Sequence, residues 1–159
     1  MEIYAFATQM EKQGEEHYRG LADKTNHAGL KSIMGMLADA KAKHGRLFQC
    51  LGRSEKAEIG DALAMDEAKA VFRRMKEEKD GRELPDIEMY RAALEMERRS
   101  IAQYREKADQ LVDGPARTSL LTIAREEEKH FAIVEEILEF MERPSSWLEN
   151  PEWYHLDEY

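Results

Sequence analysis

The sequence predicts an all-α protein built as an antiparallel four-helix bundle. Three observations carry this: apolar residues recur at helical spacing in four long segments, the composition favours helix, and the second half of the chain repeats the first. The 159 residues suit one domain with a single core. Charged residues make up 36% and apolar residues 42%, with Ala, Glu, Lys, Leu, Arg and Met prominent. The four prolines, Pro85, Pro115, Pro144 and Pro151, fall where a long helix can start or has ended.

The first helix is read from about Glu2 to Lys24, with Tyr4, Ala7, Gly14, Tyr18 and Leu21 on one stripe. The second spans about Ala28 to Leu51, with Leu30, Met34, Leu37, Phe48 and Leu51 inward. A charged, glycine-containing stretch follows, with a short amphipathic segment near Ala62 to Lys79. The third long helix begins after Leu84-Pro85-Asp86, where Asp86 is a good N-cap. It is read as far as about Val112, with Tyr90, Ala93, Tyr104, Ala108 and Leu111 inward. The fourth starts at Pro115, a favoured first-turn residue, and ends near Met141. Its stripe is Leu120, Ile123, Val134, Ile137 and Met141.

Tight turns join the first helix to the second and the third to the fourth, which makes two antiparallel hairpins. The expected organisation is a bundle over residues 1–142, with a first repeat at about 2–51, a crossover at 52–85, a second repeat at about 86–142, and a tail at 143–159. The crossover is long enough to run the length of a bundle. The tail is aromatic, with Trp147, Trp153 and Tyr154, and is expected to dock on the bundle or on a partner.

The hairpins align without a gap at an offset of 86 positions (97 − 11, and again 130 − 44). Ala7 to Lys12 falls on Ala93 to Arg98, Tyr18 on Tyr104, Leu37-Ala38 on Ile123-Ala124, and His44 on His130. A register that holds across two helices and a turn indicates a duplicated hairpin with pseudo-twofold symmetry.

Each apolar stripe is interrupted near its middle. The first carries Glu11 and the third Glu97. On the fourth, Glu127 and His130 are three apart and share a face; the matching positions on the second are Lys41 and His44. Carboxylates and imidazoles buried at one level are costly unless paired or bound to a cation. His17 falls just outside the inward stripe and reads as a surface residue; His27 sits in a turn and His155 in the tail. The methionines read as core filler.

The segments Met10 to Tyr18, Met96 to Tyr104 and Glu126 to His130 resemble the rubrerythrin family of ferritin-like di-iron carboxylate proteins, and the resemblance covers residues 2–142. It implies a ferritin-like bundle in which Glu11 and His44 hold one ion, Glu97 and His130 the other, and Glu127 bridges. Tyr18 and Tyr104 would be hydrogen-bond donors behind these ligands. It further implies iron, with zinc or manganese as possible substitutes, chemistry on peroxide or oxygen, and a homodimer. Rubrerythrins proper carry a second iron centre, held by four cysteines; this sequence has one cysteine, Cys50, so turnover would need an external electron donor.

Lys41 departs from the family pattern by standing where the second bridging carboxylate belongs. Four carboxylates neutralise two divalent ions, whereas three carboxylates and one ammonium carry −2, which a single divalent ion cancels. Three arrangements remain open. One is a single ion on Glu97, Glu127 and His130, with Lys41 paired to Glu11. Another is a two-ion site that survives through neutral or carbamylated Lys41, a bridging hydroxide or a substitute carboxylate. The last is a metal-free ion-pair network. The corresponding functions are a redox enzyme, a non-catalytic iron- or zinc-binding or storage protein, and a bundle with a degenerate site used for partner interaction.

The formal charge of −9 and a pI near 5.2 argue against nucleic acid as a partner. No segment of about 20 apolar residues is present to cross a membrane, and the first residues lack the pattern of a secretory signal. A cytoplasmic location is the expectation.

Overall fold

The computed structural model describes residues 2–57, 60, 65–78 and 86–142. It is all-helical over these residues, with the order α1 (Glu2–Lys24), α2 (Ala28–Gly52), α3 (Met65–Glu78), α4 (Ile87–Asp109) and α5 (Pro115–Glu142). The contacts give a ferritin-like bundle. Helix α1 packs along α2, α4 packs along α5, and the two hairpins meet through α1 against α4. The aromatic tail lies outside the described residues.

Local chemistry sets the helix limits. The Asp86 carboxylate accepts a hydrogen bond from the Glu88 backbone N–H at 3.0 Å, which caps α4. His27 caps α2 in the same way, its Nδ1 accepting from the Leu30 N–H at 3.4 Å. Helix α4 stops at Asp109, three residues short of the expected Val112. The Gln110 N–H turns back to the Lys107 carbonyl and the Leu111 N–H to the Ala108 carbonyl, which tightens the last turn. Val112 is left 88% exposed in the turn that reverses the chain before Pro115.

The expected stripes are buried, with Tyr4, Ala7, Gly14, Tyr18 and Leu21 on α1 and Tyr90, Ala93, Tyr104 and Ala108 on α4, except that Leu51 and Leu111 are only partly buried. They form two separate apolar clusters. One holds Tyr18, Leu37, Tyr90, Val134 and Ile137, together with Val71, Phe72 and Met75 of α3. The other holds Tyr4, Phe48, Tyr104, Leu120 and Ile123. Helix α3 packs on the first cluster, with Phe72 edge-on to Phe140 at 6.1 Å. Its close seat on α2 depends on Gly29, where a Cβ would fall 2.3 Å from Met75 Cγ. Fully burying a side chain such as Leu37 or Ile137 stabilises by about 1.5–3 kcal/mol. The layer between the two clusters is polar.

Candidate metal centre

Every helix of the bundle contributes to this layer: Glu11 from α1, Lys41 and His44 from α2, Glu97 from α4, and Glu127 and His130 from α5. The spacing of three within α2 and within α5 places each pair on one face, and pseudo-twofold symmetry brings the faces together. The His44 and His130 rings stack at 5.9 Å, only 8° from parallel. None of the six residues exceeds 3% exposure, so water does not solvate them and their partners must come from within the bundle.

Two donor groups result. Glu97, Glu127 and His130 form one, and Glu11, His44 and Glu127 the other; within each group the candidate ligand atoms all lie within 4.8 Å of one another. In the first, His130 Nδ1 is 3.0 Å from Glu97 Oε2 and 2.9 Å from Glu127 Oε2. In the second, His44 Nδ1 is 3.8 Å from Glu11 Oε1, and Tyr104 donates its hydroxyl proton to that same oxygen at 2.9 Å. Lys41 Nζ lies between the groups but not midway. It contacts Glu97 Oε1, sits 2.5 Å from Glu127 Oε2, and is 4.0 Å from Glu11 Oε2.

This asymmetry separates residues of the same type. Burial alone would depress both imidazoles. It holds His44 down at about 4, helped by the positive charges of His130 and Lys41 against the opposing pull of Glu127. At His130 the charges of Glu97 and Glu127 overcome burial and push the ring up to about 9. Burial and the neighbouring Glu127 charge raise Glu11 well above the usual carboxylate range, more than Lys41 and Tyr104 lower it. Glu127 is also raised by burial, but Lys41 and His130 bring it well below that range. Burial opposes the Lys41 ammonium, yet Glu127, Glu97 and Glu11 raise its pKa above the ordinary lysine value. Without metal, two cations, Lys41 and His130, therefore face Glu97 and Glu127, while Glu11 and His44 are neutral. Burial and the carboxylates push Tyr18 and Tyr104 well up, so both phenols keep their protons.

The donors fit a metal ion. Both nitrogens of His44 are buried and make no hydrogen bond, and Glu11 Oε2 and Glu127 Oε1 beside them are buried without a well-formed one. A buried polar atom left this way costs about 1–3 kcal/mol. Lone pairs that converge without donors of their own are what a cation satisfies.

Comparison with known families agrees with this geometry. The rubrerythrin family profile matches residues 2–139. The chain belongs to the rubrerythrin family. No curated protein and no solved structure matches it significantly.

Of the residues expected to serve a rubrerythrin-type centre, Glu11, His44, Glu97, Glu127 and His130 converge. Tyr104 bonds to Glu11, whereas the Tyr18 hydroxyl is buried beside Glu97 without a well-formed hydrogen bond. Lys41 pairs with Glu11 at 4.0 Å, as one of the three open arrangements has it, but Glu97 and Glu127 are its closer partners. His17, expected at the surface, is half-buried, and burial lowers its pKa. His27 caps a helix, and His155 lies outside the described residues.

Sequence reading missed the role of Gly14. A Cβ there would meet Lys41 Cδ and Cε at 3.1 Å and Cγ at 3.4 Å. The available signal was a glycine within the inward stripe of a helix, where it costs about 0.5–1 kcal/mol against alanine. Its counterpart at the 86-residue offset is Ser100. Both line an open groove of about 250 Å³ between α1 and α4, with Gln13, Arg99 and Gln103 on its walls. No helix among the described residues is long and apolar enough to cross a membrane.

Proposed function

We propose that the chain is an iron-binding redox protein that handles peroxide or oxygen at the layer between the two apolar clusters. One observation supports this above the others: five family-type donors converge there in a buried layer, with both His44 nitrogens free of hydrogen bonds. Glu11, Glu97, Glu127, His44 and His130 are the residues that would hold iron. When bound, iron would supply electron transfer to the oxidant.

The chain's own residues set the conditions for that chemistry. Tyr104 keeps its proton and orients Glu11. The apolar clusters on either side keep bulk water out of the layer. The groove lined by Gly14 and Ser100 is wide enough to admit a molecule as small as peroxide. With Cys50 alone, these residues cannot form a four-cysteine iron site, so electrons would come from a separate donor. A homodimer is part of the same reading.

A second reading, metal binding without turnover, is favoured by Lys41. Its ammonium already neutralises charge that two metals would otherwise balance. Metal analysis combined with peroxide consumption in the presence of a competent reductant separates the two. Bound iron with turnover supports the redox reading, and bound iron without turnover supports simple binding. Absence of bound metal after iron loading contradicts both.

A further inference from the structure

Lys41 is built into the centre as a fixed part of it. Three carbons of its stem run against the α1 backbone at Gly14, in space that any larger residue would fill. At the equivalent place in the second hairpin the pair is Ser100 and the shorter Glu127. The stem thus has a fitted seat, and the seat determines where the ammonium goes. Nζ contacts Glu97 Oε1 and lies 2.5 Å from Glu127 Oε2. Those are two of the oxygens that an ion in the Glu97–Glu127–His130 group would need at about 2.0–2.2 Å. An ammonium nitrogen has no lone pair to offer a metal, so it competes with an ion for that half.

The other half is open. Nζ is 4.0 Å from Glu11 Oε2, and both His44 nitrogens are buried without a hydrogen bond. Charge agrees with geometry. With Lys41 and His130 both charged, three carboxylates leave −1; one divalent ion brings the layer to +1, whereas a second would leave +3 in a buried layer.

We propose that the Lys41 ammonium takes the place of one metal in the Glu97–Glu127–His130 half, so that this chain binds a single divalent ion, held by Glu11, His44 and Glu127. This rests on the metal-binding reading and specifies it. Lys41 is a positioning residue that sets how many ions bind and where.

The test is to load wild type, K41E, H44Q and H130Q with Fe(II) without oxygen and count iron per chain after desalting. Wild type should retain one ion and K41E two. H44Q should weaken binding by at least about tenfold, while H130Q should stay near wild type. Two ions in wild type, or loss that follows His130 instead of His44, would overturn the proposal but leave metal binding standing. No iron in either wild type or K41E would overturn the metal-binding reading itself. If K41E does not fold, as judged by circular dichroism, the contrast between H44Q and H130Q decides the matter with Lys41 in place.

Discussion

The two hairpins share one plan and differ at its centre. His44 and His130 occupy equivalent positions, yet one is held at about 4 and the other at about 9. Tyr18 and Tyr104 are equivalent, yet only Tyr104 hydrogen-bonds to its glutamate. Both contrasts accompany one exchange, Glu127 on α5 for Lys41 on α2. The ammonium draws Glu97 and Glu127 toward one half, where His130 joins them, and leaves Glu11 and His44 neutral in the other. A single residue in a duplicated frame has turned two similar sites into one ion-pair network and one open donor set.

The largest expected effect comes from removing the hub of that network. Glu127→Leu leaves Lys41 and His130 facing only Glu97 and should cost the metal-free protein about 3–5 kcal/mol in urea unfolding. The double replacement K41M/E127M removes both charges and should recover most of that loss. A full additive loss in the double variant would contradict the pairing.

Stability against pH should show both histidines. His130 has a raised folded pKa, so its contribution is fully present below about 6.5 and is lost as pH rises through about 9. His44 has a depressed one, so its contribution is present above about 6.5 and is lost as pH falls toward about 4. Glu11, raised, adds to the alkaline limb, and Glu127, lowered, adds to the acid limb. The metal-free protein should be most stable near neutral pH, with each histidine worth about 3 kcal/mol across its limb. H130L should flatten the alkaline limb and H44L the acid limb. The reverse pattern would invert the assignment of the two halves.

Smaller effects probe the seat of Lys41. Gly14→Ala gains about 0.5–1 kcal/mol of helix preference but presses on the lysine stem, so it should be near neutral or destabilising in wild type and stabilising beside K41A. Equal effects in the two backgrounds would mean that the stem is not seated there. The tyrosine contrast is of similar size. Tyr104→Phe should cost about 1 kcal/mol, the usual worth of one hydrogen bond, and Tyr18→Phe less. Thermal unfolding of the two variants side by side checks the order.

Much of this was legible before any coordinates. The apolar stripes obey helical spacing strictly, and the offset of 86 pairs Glu11 with Glu97 and His44 with His130, which is enough to infer both the bundle and its polar layer. The partner of Lys41 was not legible. Glu11, Glu97 and Glu127 lie at one depth, and only the course of the lysine stem past Gly14 selects between them. The end of α4 was also obscured, because Leu111 and Val112 continue the apolar run while the Gln110 and Leu111 N–H groups have already turned back. Gly14 looked like an ordinary small residue until its neighbour across the helix interface was known.

The position of a metal relative to Lys41 decides between one ion and two. Anomalous scattering from wild-type crystals loaded with Fe(II) measures this directly. One peak, bounded by Glu11, His44 and Glu127, with the Lys41 ammonium still against Glu97, is the predicted result. Two peaks about 3.5–4 Å apart, or one peak among Glu97, Glu127 and His130 with the lysine displaced, would contradict it.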